Sequence, residues 1–474
     1  MKTEVSLHWF RNDLRFDDNP SLNSLAKIKK PVILLYIYDN YNSDKDIGSA
    51  GKVWLGEALN YLNTKCKNQL ILQMGDPIQI FNALLKYFNI RTISWNRCYE
   101  PWSIVRDKKL KENLKNRGIQ IQSHNGSLLW EPWDVLKNDG TPYKVFTPFY
   151  KRGCLESLPP RKPQTHKIEL FHHDYISLSL EQIGLKNKTS WAKKILTKWQ
   201  VGESFAKIKA LNFFEEEGID GYSEKRNFPY LKKTSRLSPY IHWGQVSPNF
   251  LWYKAQENLN KKNELDISIF RSELGWREFS YYLLYHFPKI QKANFQQKFD
   301  RLQWKNKNNN FESWKLGMTG FPIVDAGMRE LWQTGYMHNR VRMIVGSFLT
   351  KNLLHHWKLG EEWFWDCLFD ADMANNSAGW QWVAGTGADA APYFRIFNPV
   401  SQGQKFDPEG RYIKRFVPEL EKLPLKFLNN PWECPDEIIC KCGVILGKDY
   451  PYPIVDLKES REQALIEFKR LSNV

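Results

Sequence analysis

The first third of the chain alternates short β-rich runs with amphipathic segments. Runs rich in Val, Ile and aromatic residues predict strands, and the segments between them repeat apolar residues at helical spacing. Strands separated by helical crossovers are typical of a parallel, doubly wound sheet, so we predict an α/β fold here. The predicted strands are Val5–Phe10, Pro31–Tyr38, Gln69–Gly75, Thr92–Arg97 and Ile119–His124, and the predicted helices are Gly51–Cys66, Pro77–Asn89 and Ser103–Arg117.

The remainder of the chain follows a different pattern. A proline-rich, weakly periodic stretch, Leu158–Pro163 followed by His166–Ile176, predicts an interdomain connection. From about Trp191 helical periodicity dominates, Gly447–Asp456 is expected to be extended, and a last helix is expected from Ser460. We therefore predict an α/β domain over residues 1–130, a linker over 131–190 and a large all-α domain over 191–474.

Composition adds a charge signal to this outline. The formal net charge is +16 and the sequence pI is near 9.3, which fits a polyanionic partner but equally fits a lysine-rich solvated surface. No apolar run is long enough to span a bilayer, and the start lacks a signal-peptide profile, so we expect a cytoplasmic protein. A monomer is the default expectation. Cys434, Cys440 and Cys442 fit no zinc or iron–sulfur spacing, and we expect reduced thiols and no metal.

The turn after the first predicted strand argues against a dinucleotide bound as in Rossmann folds. It reads Arg11-Asn-Asp-Leu-Arg where a dinucleotide bound in the Rossmann manner needs a Gly-x-Gly-x-x-Gly turn. A different window, residues 370–382, is suited to a large flat cofactor. Trp380 can lie against a ring system, Asn376 can meet a ring nitrogen, and Asp370 can hold a cationic group.

Three further segments carry candidate chemistry. Lys233–Pro239 offers hydroxyls at a helix start, which suit a pyrophosphate, although an ordinary helix N-cap is the simpler interpretation. In Arg271–Ser280 an acid, a tryptophan and an arginine share one helical face, as a surface ion pair beside a core tryptophan also would. Gly335–Val345 concentrates polar and basic residues on an otherwise buried helix, where an arginine needs an acidic partner such as Asp370 or Asp372.

Together these segments resemble the photolyase/cryptochrome family. The resemblance spans nearly the whole chain and keeps its motifs in order: Leu7–Pro20, Tyr143–Phe149, Thr234–Pro239, Trp276–Phe279, Asn339–Phe348, Gly379–Pro399 and Gly447–Asp456. It implies an N-terminal α/β antenna domain and a C-terminal helical domain that holds FAD.

Residues that match the family's motifs favour one branch, the repair enzymes for cyclobutane pyrimidine dimers of class I bacterial type. Asn376 stands where the family faces flavin N5, a position held by an acid in plant cryptochromes and a cysteine in animal ones. Asn339 and Met343 match the cyclobutane-type enzymes, whereas the (6-4) enzymes have histidine in the Asn339 region. The resemblance further implies that Glu273 hydrogen-bonds the dimer and that Trp276 and Trp382 enclose it.

The same resemblance implies the remaining site residues. Trp304, Trp357 and Trp380 match the family's electron-transfer triad. The implied FAD contacts are Tyr222, Thr234, Ser235, Arg236, Leu237, Ser238, Arg342, Asp370, Asp372 and Asn376, with Arg342 and Asp370 forming an ion pair over the ring. The implied contacts to DNA are Arg226, Arg277, Arg340 and Arg395.

The function that the resemblance implies is light-driven repair of UV-damaged DNA by electron transfer from excited reduced FAD. Two alternatives share the fold: a blue-light receptor cryptochrome and a (6-4) photoproduct photolyase. A third alternative is a basic nucleic-acid-binding protein without a flavin. A second, antenna chromophore is expected, but Tyr99–Asp107 lacks the carboxylate that the folate pattern has near Ser103. Methenyltetrahydrofolate, an 8-hydroxy-deazaflavin and an empty pocket all stay open.

Overall fold

A computed structural model describes residues 2–43, 45–186, 189–215 and 218–472. Two compact units emerge from the contacts within the chain. The first contains the chain up to Asp220, together with Ser235–Pro288 and Phe369–Ala374; the second contains Gly221–Thr234, Lys289–Leu368 and the chain from Asn375. Because this grouping follows spatial contact rather than chain order, the predicted boundaries at 130 and 190 stay predictions.

A five-stranded parallel sheet lies in the first unit, which confirms the predicted α/β fold. Its order is β3-β2-β1-β4-β5, so the strand order reverses on either side of β1. Every residue of β2 is buried, as a parallel strand covered on both faces requires. The strands are β1 (Glu4–Phe10), β2 (Val32–Tyr38), β3 (Leu70–Met74), β4 (Asn89–Asn96) and β5 (Gln120–His124).

The helices around the sheet begin at recognisable caps. Asn19 and Asp76 each accept a backbone hydrogen bond before a proline at the first helical position. The predicted helix from Pro77 to Asn89 ends earlier, because β4 takes up the chain from Asn89. These helices are α1 (Pro20–Ile28), which was not predicted, α2 (Ser49–Lys65), α3 (Pro77–Tyr87) and α4 (Pro101–Lys115).

The predicted connection after the sheet also contributes to it. The backbone of Val32 donates to Glu169 and accepts from Phe171, and Leu178 donates to Leu72. The segment therefore pairs with β2 and β3 over part of its length instead of running free of the sheet.

The rest of the described chain is helical, as predicted, with isolated bridges but no further strand. The last helix begins at Leu457, three residues before the predicted start, because the Asp456 carboxylate accepts from two backbone amides and caps it. The helices are α5 (Phe146–Pro148), α6 (Ser190–Leu196), α7 (Glu203–Glu215), α8 (Tyr222–Lys225), α9 (Ser238–His242), α10 (Pro248–Glu257), α11 (Glu264–His286), α12 (Asn309–Leu316), α13 (Pro322–Thr334), α14 (Asn339–Ser347), α15 (Trp357–Cys367), α16 (Met373–Ala384), α17 (Pro399–Phe406), α18 (Arg411–Phe416), α19 (Leu425–Leu428), α20 (Asp436–Lys441) and α21 (Leu457–Ser472).

Short turns of other geometry join these helices. The π-helical turns are Phe149–Cys154 and Phe348–Asn352, and the 3₁₀ turns are Pro288–Gln291, Gln297–Arg301, Pro418–Leu420 and Pro431–Glu433. Within the described residues, none of the helices combines the length and the apolar content that crossing a membrane would require.

Candidate functional site

Two predicted acidic residues, Asp370 and Asp372, lie on a short buried segment of the first unit. The indole of Trp243 donates to the carbonyl of the residue before Asp370 at 3.0 Å, which holds the segment at the C-terminal end of α9. The neighbouring His242 places Nδ1 4.0 Å from Oδ2 of Asp372. Burial lowers the pKa of His242, and the Asp372 charge opposes that shift. At neutral pH the histidine is therefore uncharged.

The hydroxyl-rich segment before α9 does not act as an ordinary helix cap. Leu237 occupies the N-cap position, and no side chain caps this helix. Arg236 adopts a left-handed backbone conformation, with φ of 51°, and its guanidinium lies 4.8 Å from the Trp199 ring centroid. In the part of the chain that the structure describes, no protein group hydrogen-bonds the hydroxyls of Thr234, Ser235 and Ser238, so they are available to a ligand.

Helix α11 carries Glu273, Trp276 and Arg277 on one face, as predicted. The Trp276 ring stacks on Phe146 with centroids 3.7 Å apart and planes 12° from parallel. Phe146 in turn stacks on another aromatic ring, Tyr150, at 5.5 Å. One face of the Trp276 indole is thus covered by protein, which leaves only its other face for a planar ligand.

Arg277 turns away from that stack. Its guanidinium donates to the Ser127 carbonyl at 2.7 Å and lies 4.7 Å from the Tyr281 ring centroid. The side chain is only 11% exposed and also pairs with Glu278 at 3.1 Å. These interior partners give less support to a DNA contact at Arg277 than at an exposed arginine, and that role stays a prediction.

The carboxyl ends of β1 and β4 meet where the strand order reverses, which is where open α/β sheets usually bind ligands. A cavity of about 20 Å³ lies there, and its volume suits a single water molecule. This cavity is therefore too small for a chromophore. Ser103, the position of the missing folate carboxylate, is 1% exposed on α4. The residues that line the cavity include Asp13, Cys98, Glu100, His242, Arg277 and Tyr281.

In the second unit, Asn376 is oriented by helix α15. Its Nδ2 donates to the Glu361 backbone carbonyl at 2.9 Å and approaches the Glu361 carboxylate at 3.4 Å. The side chain is 8% exposed. With the amide nitrogen engaged, the carbonyl oxygen Oδ1 is the atom that Asn376 can offer to a hydrogen-bond donor.

Trp380, one turn along from Asn376, is buried against other aromatic rings. It lies edge-on to Phe364 at 4.8 Å and to Trp314 at 6.1 Å between centroids. A Cβ added to Gly360 would come 2.1 Å from the Trp380 ring, so only glycine allows this close approach. The indole is therefore held in one position, which suits a fixed electron-transfer distance.

Trp357 and Trp304 lie on either side of a histidine. The His356 ring is 5.4 Å from Trp357 and 5.1 Å from Trp304 between centroids. Trp357 is fully buried and donates to Asn294 at 2.8 Å, whereas Trp304 is half-buried. This arrangement brings two members of the predicted triad together, and the triad's function stays a prediction.

Helix α14 begins with the residues predicted to meet the substrate. His338 caps it, because its Nδ1 accepts from the Arg340 backbone amide at 3.2 Å. Asn339 is exposed at the first helical position, and Met343 lies half-buried one turn further on. The cap therefore fixes the direction of the helix that presents both side chains.

Three predicted arginines surround the same histidine. Burial first, then the charges of Arg226, Arg340 and Arg342, lower the pKa of His338 to about 3. Arg342 donates to the Met337 carbonyl at 2.8 Å. Nearby cations that keep a buried histidine neutral form a positive region suited to an anion.

The remaining predicted residues differ in how far they are buried. Tyr222 is buried in α8 with the Arg226 guanidinium 5.4 Å from its ring centroid. Trp382 is half-buried, and Arg395 is exposed on the loop before α17. The predicted ion pair between Arg342 and Asp370 joins residues of different units and stays a prediction.

Some site residues were missed by the sequence analysis. They are Phe146 behind Trp276, His242 beside Asp372, His356 between two tryptophans, and Glu361 behind Asn376. Phe146 lies in the quoted motif Tyr143–Phe149 and His356 directly precedes a predicted tryptophan, so motif position pointed to both. Nothing in the sequence linked Glu361 to Asn376.

The cysteines show no metal arrangement within the described residues. No cluster of three or more His, Cys, Asp or Glu side chains there could hold a metal ion. Cys434 is buried, Cys440 is exposed, and the Cys442 thiol donates to the Lys422 carbonyl at 3.4 Å.

Comparison with known proteins gives a consistent assignment. The family model described as DNA photolyase matches residues 6–166, and the model described as FAD binding domain of DNA photolyase matches residues 270–470. The chain is 43% identical over 477 residues to a deoxyribodipyrimidine photo-lyase of Agrobacterium fabrum, covering 99% of this chain and 98% of that protein.

Two further relatives show the breadth of the match. Cryptochrome-2 of Arabidopsis thaliana is 35% identical, over 96% of this chain and 77% of that protein. A crystal structure of a bacterial class III photolyase from Agrobacterium tumefaciens superposes with a TM-score of 0.95 at 42% identity, covering 100% of this chain and 99% of that one.

Proposed function

Because the chain belongs to the photolyase/cryptochrome family, we propose that it repairs cyclobutane pyrimidine dimers in DNA under light. The observation that carries this proposal is the amide at position 376. Its nitrogen is engaged by Glu361, so a neutral carbonyl oxygen, rather than a carboxylate or thiol, is offered to the cofactor. A carbonyl oxygen accepts a hydrogen bond but supplies no proton, which fits a flavin that works fully reduced.

The residues present fit FAD. The Ser235 and Ser238 hydroxyls have no protein partner in the described chain, as hydroxyls reserved for a pyrophosphate would. Asp372 is buried beside a neutral histidine and can accept from polar groups of a ring. When bound in reduced form, FAD supplies an electron after excitation by near-UV or blue light.

The substrate side of the proposal uses α11 and α14. The open face of Trp276 would stack on a flipped dimer, with Trp382 as the second apolar wall. Glu273 and Asn339 would hold the dimer by hydrogen bonds and stabilise charge that develops on it. Met343 would add an apolar contact to the dimer.

DNA docking is assigned to Arg226, Arg340 and Arg395. Arg340 donates to an amide oxygen of Asn227 at 2.8 Å and lies 4.5 Å from the Phe406 ring centroid. Neither partner carries a negative charge, so the guanidinium keeps its charge for a phosphate. Such contacts position the duplex independently of sequence.

The class within the family is the finest part of the proposal. The residue pattern favours class I, whereas the structural relative that aligns over the whole chain at 42% identity is a class III photolyase. We propose class III for this protein, because the similarity to that structure extends over the whole chain, whereas the class I pattern rests on a few site residues.

The antenna chromophore is proposed only as a family property. The cavity at the sheet edge is too small for one, and methenyltetrahydrofolate, an 8-hydroxy-deazaflavin and an empty pocket remain the alternatives. Mass spectrometry of chromophores released from the purified protein would distinguish the three.

The proposal is tested by illuminating the reduced protein with an oligonucleotide that contains one cyclobutane dimer. We expect thymines to be restored in light and not in darkness, as chromatography of the digested DNA would show. A matched reaction with a (6-4) lesion should show no repair. Repair of the (6-4) lesion alone would support the (6-4) alternative, no repair of either a cryptochrome, and colourless protein a non-flavin DNA-binding protein.

A further inference from the structure

A buried lysine lies beneath the loop that carries Arg395. Lys351 belongs to the π-helical turn Phe348–Asn352, and it is 1% exposed. Its Nζ donates to the Arg395 backbone carbonyl at 2.9 Å. The side chain of Arg395 itself is exposed, so the lysine holds the backbone while the guanidinium stays free to reach solvent.

The same loop has two more attachments to its surroundings. The Phe397 backbone amide donates to the hydroxyl of Ser347, one turn before Lys351, at 3.3 Å. The Tyr393 ring stacks on Phe468 of α21 at 5.0 Å, and its centroid lies 5.5 Å from Nζ of Lys351. Residues 393–397 are thus fixed at alternate positions around Arg395.

The charges around Lys351 are unusual for a buried lysine. Burial lowers its pKa to about 8, and the charge of Arg395 acts in the same direction. The loop also presents Tyr393, and α21 contributes Glu467, which pairs with Arg470 at 2.7 Å. In the described chain, α14 and α15, which flank the turn, contribute no group that acts on this pKa. Buried lysines are usually paired with a carboxylate, whereas Lys351 contacts a carbonyl and a ring.

We propose that Lys351 is a positioning residue for DNA binding, which fixes the backbone of Arg395 and adds a buried positive charge beneath the phosphate that Arg395 contacts. The inference rests on the proposed function, because it assumes that Arg395 contacts DNA. A phosphate bound above the lysine would favour its charged form, so binding and protonation of Lys351 would support each other.

The variants that test this are Lys351→Met, which keeps the length and apolar stem, and Lys351→Arg, which keeps a donor and the charge. Lys458→Met, at an exposed lysine of α21, is the matched control. Amide hydrogen exchange of residues 393–398 is measured on the full-length protein without DNA. Affinity for dimer-containing DNA is measured from about pH 7 to about pH 9.5, the range in which a lysine with a lowered pKa loses its proton.

We expect Lys351→Met to raise exchange in the loop by about fivefold, since one anchoring hydrogen bond is worth roughly 1 kcal/mol. Lys351→Arg should restore part of the protection. Wild-type affinity should fall by up to about tenfold as pH rises, the equivalent of about one pKa unit of coupling. The affinity of Lys351→Met should be lower at neutral pH and nearly independent of pH, whereas the control should follow the wild type.

Unchanged exchange in Lys351→Met would overturn the anchoring. A pH profile that the wild type and Lys351→Met share would overturn the charge coupling. Arg395→Ala separates this inference from the proposed function: if that variant binds DNA as tightly as the wild type, the Arg395 contact fails. The positioning role in DNA binding then fails with it, while faster exchange in Lys351→Met would still establish the anchor.

Discussion

Cations at the edge of the sheet in the first unit are neutralised by carboxylates of the same unit. Arg11, directly after β1, pairs with Asp107 at 2.5 Å. Arg106 pairs with Asp107 at 2.7 Å and with Asp39, after β2, at 3.1 Å. Burial would lower the pKa of Arg11, but the Asp107 charge raises it above the ordinary value. These positive charges are therefore neutralised by carboxylates within the first unit.

Two cations of the second unit, Arg340 and Lys351, are held by neutral partners instead. Arg340 contacts the Asn227 amide oxygen and the Phe406 ring, and Lys351 donates to a backbone carbonyl. Both have a lowered pKa, which reflects burial and then a neighbouring arginine. A positive charge without an acidic partner raises the free energy of the unbound protein. A bound polyanion offsets this cost by pairing with the charge.

The contrast separates two uses of a basic residue. A net charge of +16 does not reveal which arginines are available to DNA, since paired and unpaired cations count equally in the sum. For the four cations compared, the partner distinguishes the two uses: Arg11 and Arg106 pair with carboxylates, whereas Arg340 and Lys351 contact an amide, a ring or a carbonyl.

The largest expected effect follows from removing a cation that has a carboxylate partner. Arg11→Met leaves Asp107 buried with one arginine instead of two, and breaking a buried ion pair costs about 3–5 kcal/mol. We expect a loss of this size in the free energy of unfolding of the sheet-containing unit, measured by urea titration. The matched variant Arg340→Met should lose less than about 1 kcal/mol, because it removes a repelled charge. Equal losses in the free energy of unfolding of the two variants would show that the partner of a cation does not determine its contribution to stability.

A second test uses Glu278, a buried carboxyl group whose ionised form destabilises the folded state although it has an ion-pair partner. Glu278 accepts from the Leu129 amide at 2.7 Å and pairs with Arg277 at 3.1 Å, but burial raises its pKa from 4.5 to about 7. Because the folded state binds this proton more tightly than the unfolded state, stability falls as pH rises through that interval.

Glu278→Gln cannot acquire the charge, so its stability relative to the wild type should increase by about 3 kcal/mol between about pH 4.5 and about pH 7.5. Urea unfolding of both proteins at a series of pH values measures the difference, in which the other titrating groups cancel. Parallel profiles would show that Arg277 and the backbone donors compensate the charge fully.

The third test replaces the neutral amide of Asn376, in the second unit, with an ionisable carboxyl group. Asn376→Asp places a carboxyl beside the Glu361 carboxylate, 3.4 Å from the present amide nitrogen, and this proximity should raise the new carboxyl's pKa. In its protonated form the new carboxyl can supply a proton, which the Asn376 amide cannot do. We expect the first one-electron potential of the bound flavin to shift by about 59 mV per pH unit, against a flatter wild-type profile. Spectroscopic redox titrations that gave the same pH profile would reject the N5 assignment.

The sequence predicted the sheet and its helices well because buried parallel strands such as Val32–Tyr38 are continuous apolar runs. Through motifs it also predicted which tryptophans and polar residues form the site, and their roles stay predictions. It could not predict contacts made across long chain separations, such as Glu361 behind Asn376 or Lys351 beneath Arg395. Lys351 in particular is one of 68 basic residues, and only its burial and its carbonyl partner distinguish it.

The smallest expected effect belongs to a single phosphate contact. Arg340→Ala should weaken binding to damaged and undamaged DNA by a similar factor of about tenfold at low salt, because a phosphate contact carries no sequence or lesion information. The slope of log affinity against log salt should flatten by about one unit. Arg106→Ala, which removes a cation neutralised within the first unit, should leave that slope unchanged even if stability falls. An unchanged slope in Arg340→Ala would show that a neutral partner does not mark a DNA contact, and the contrast between the two regions would then describe stability alone.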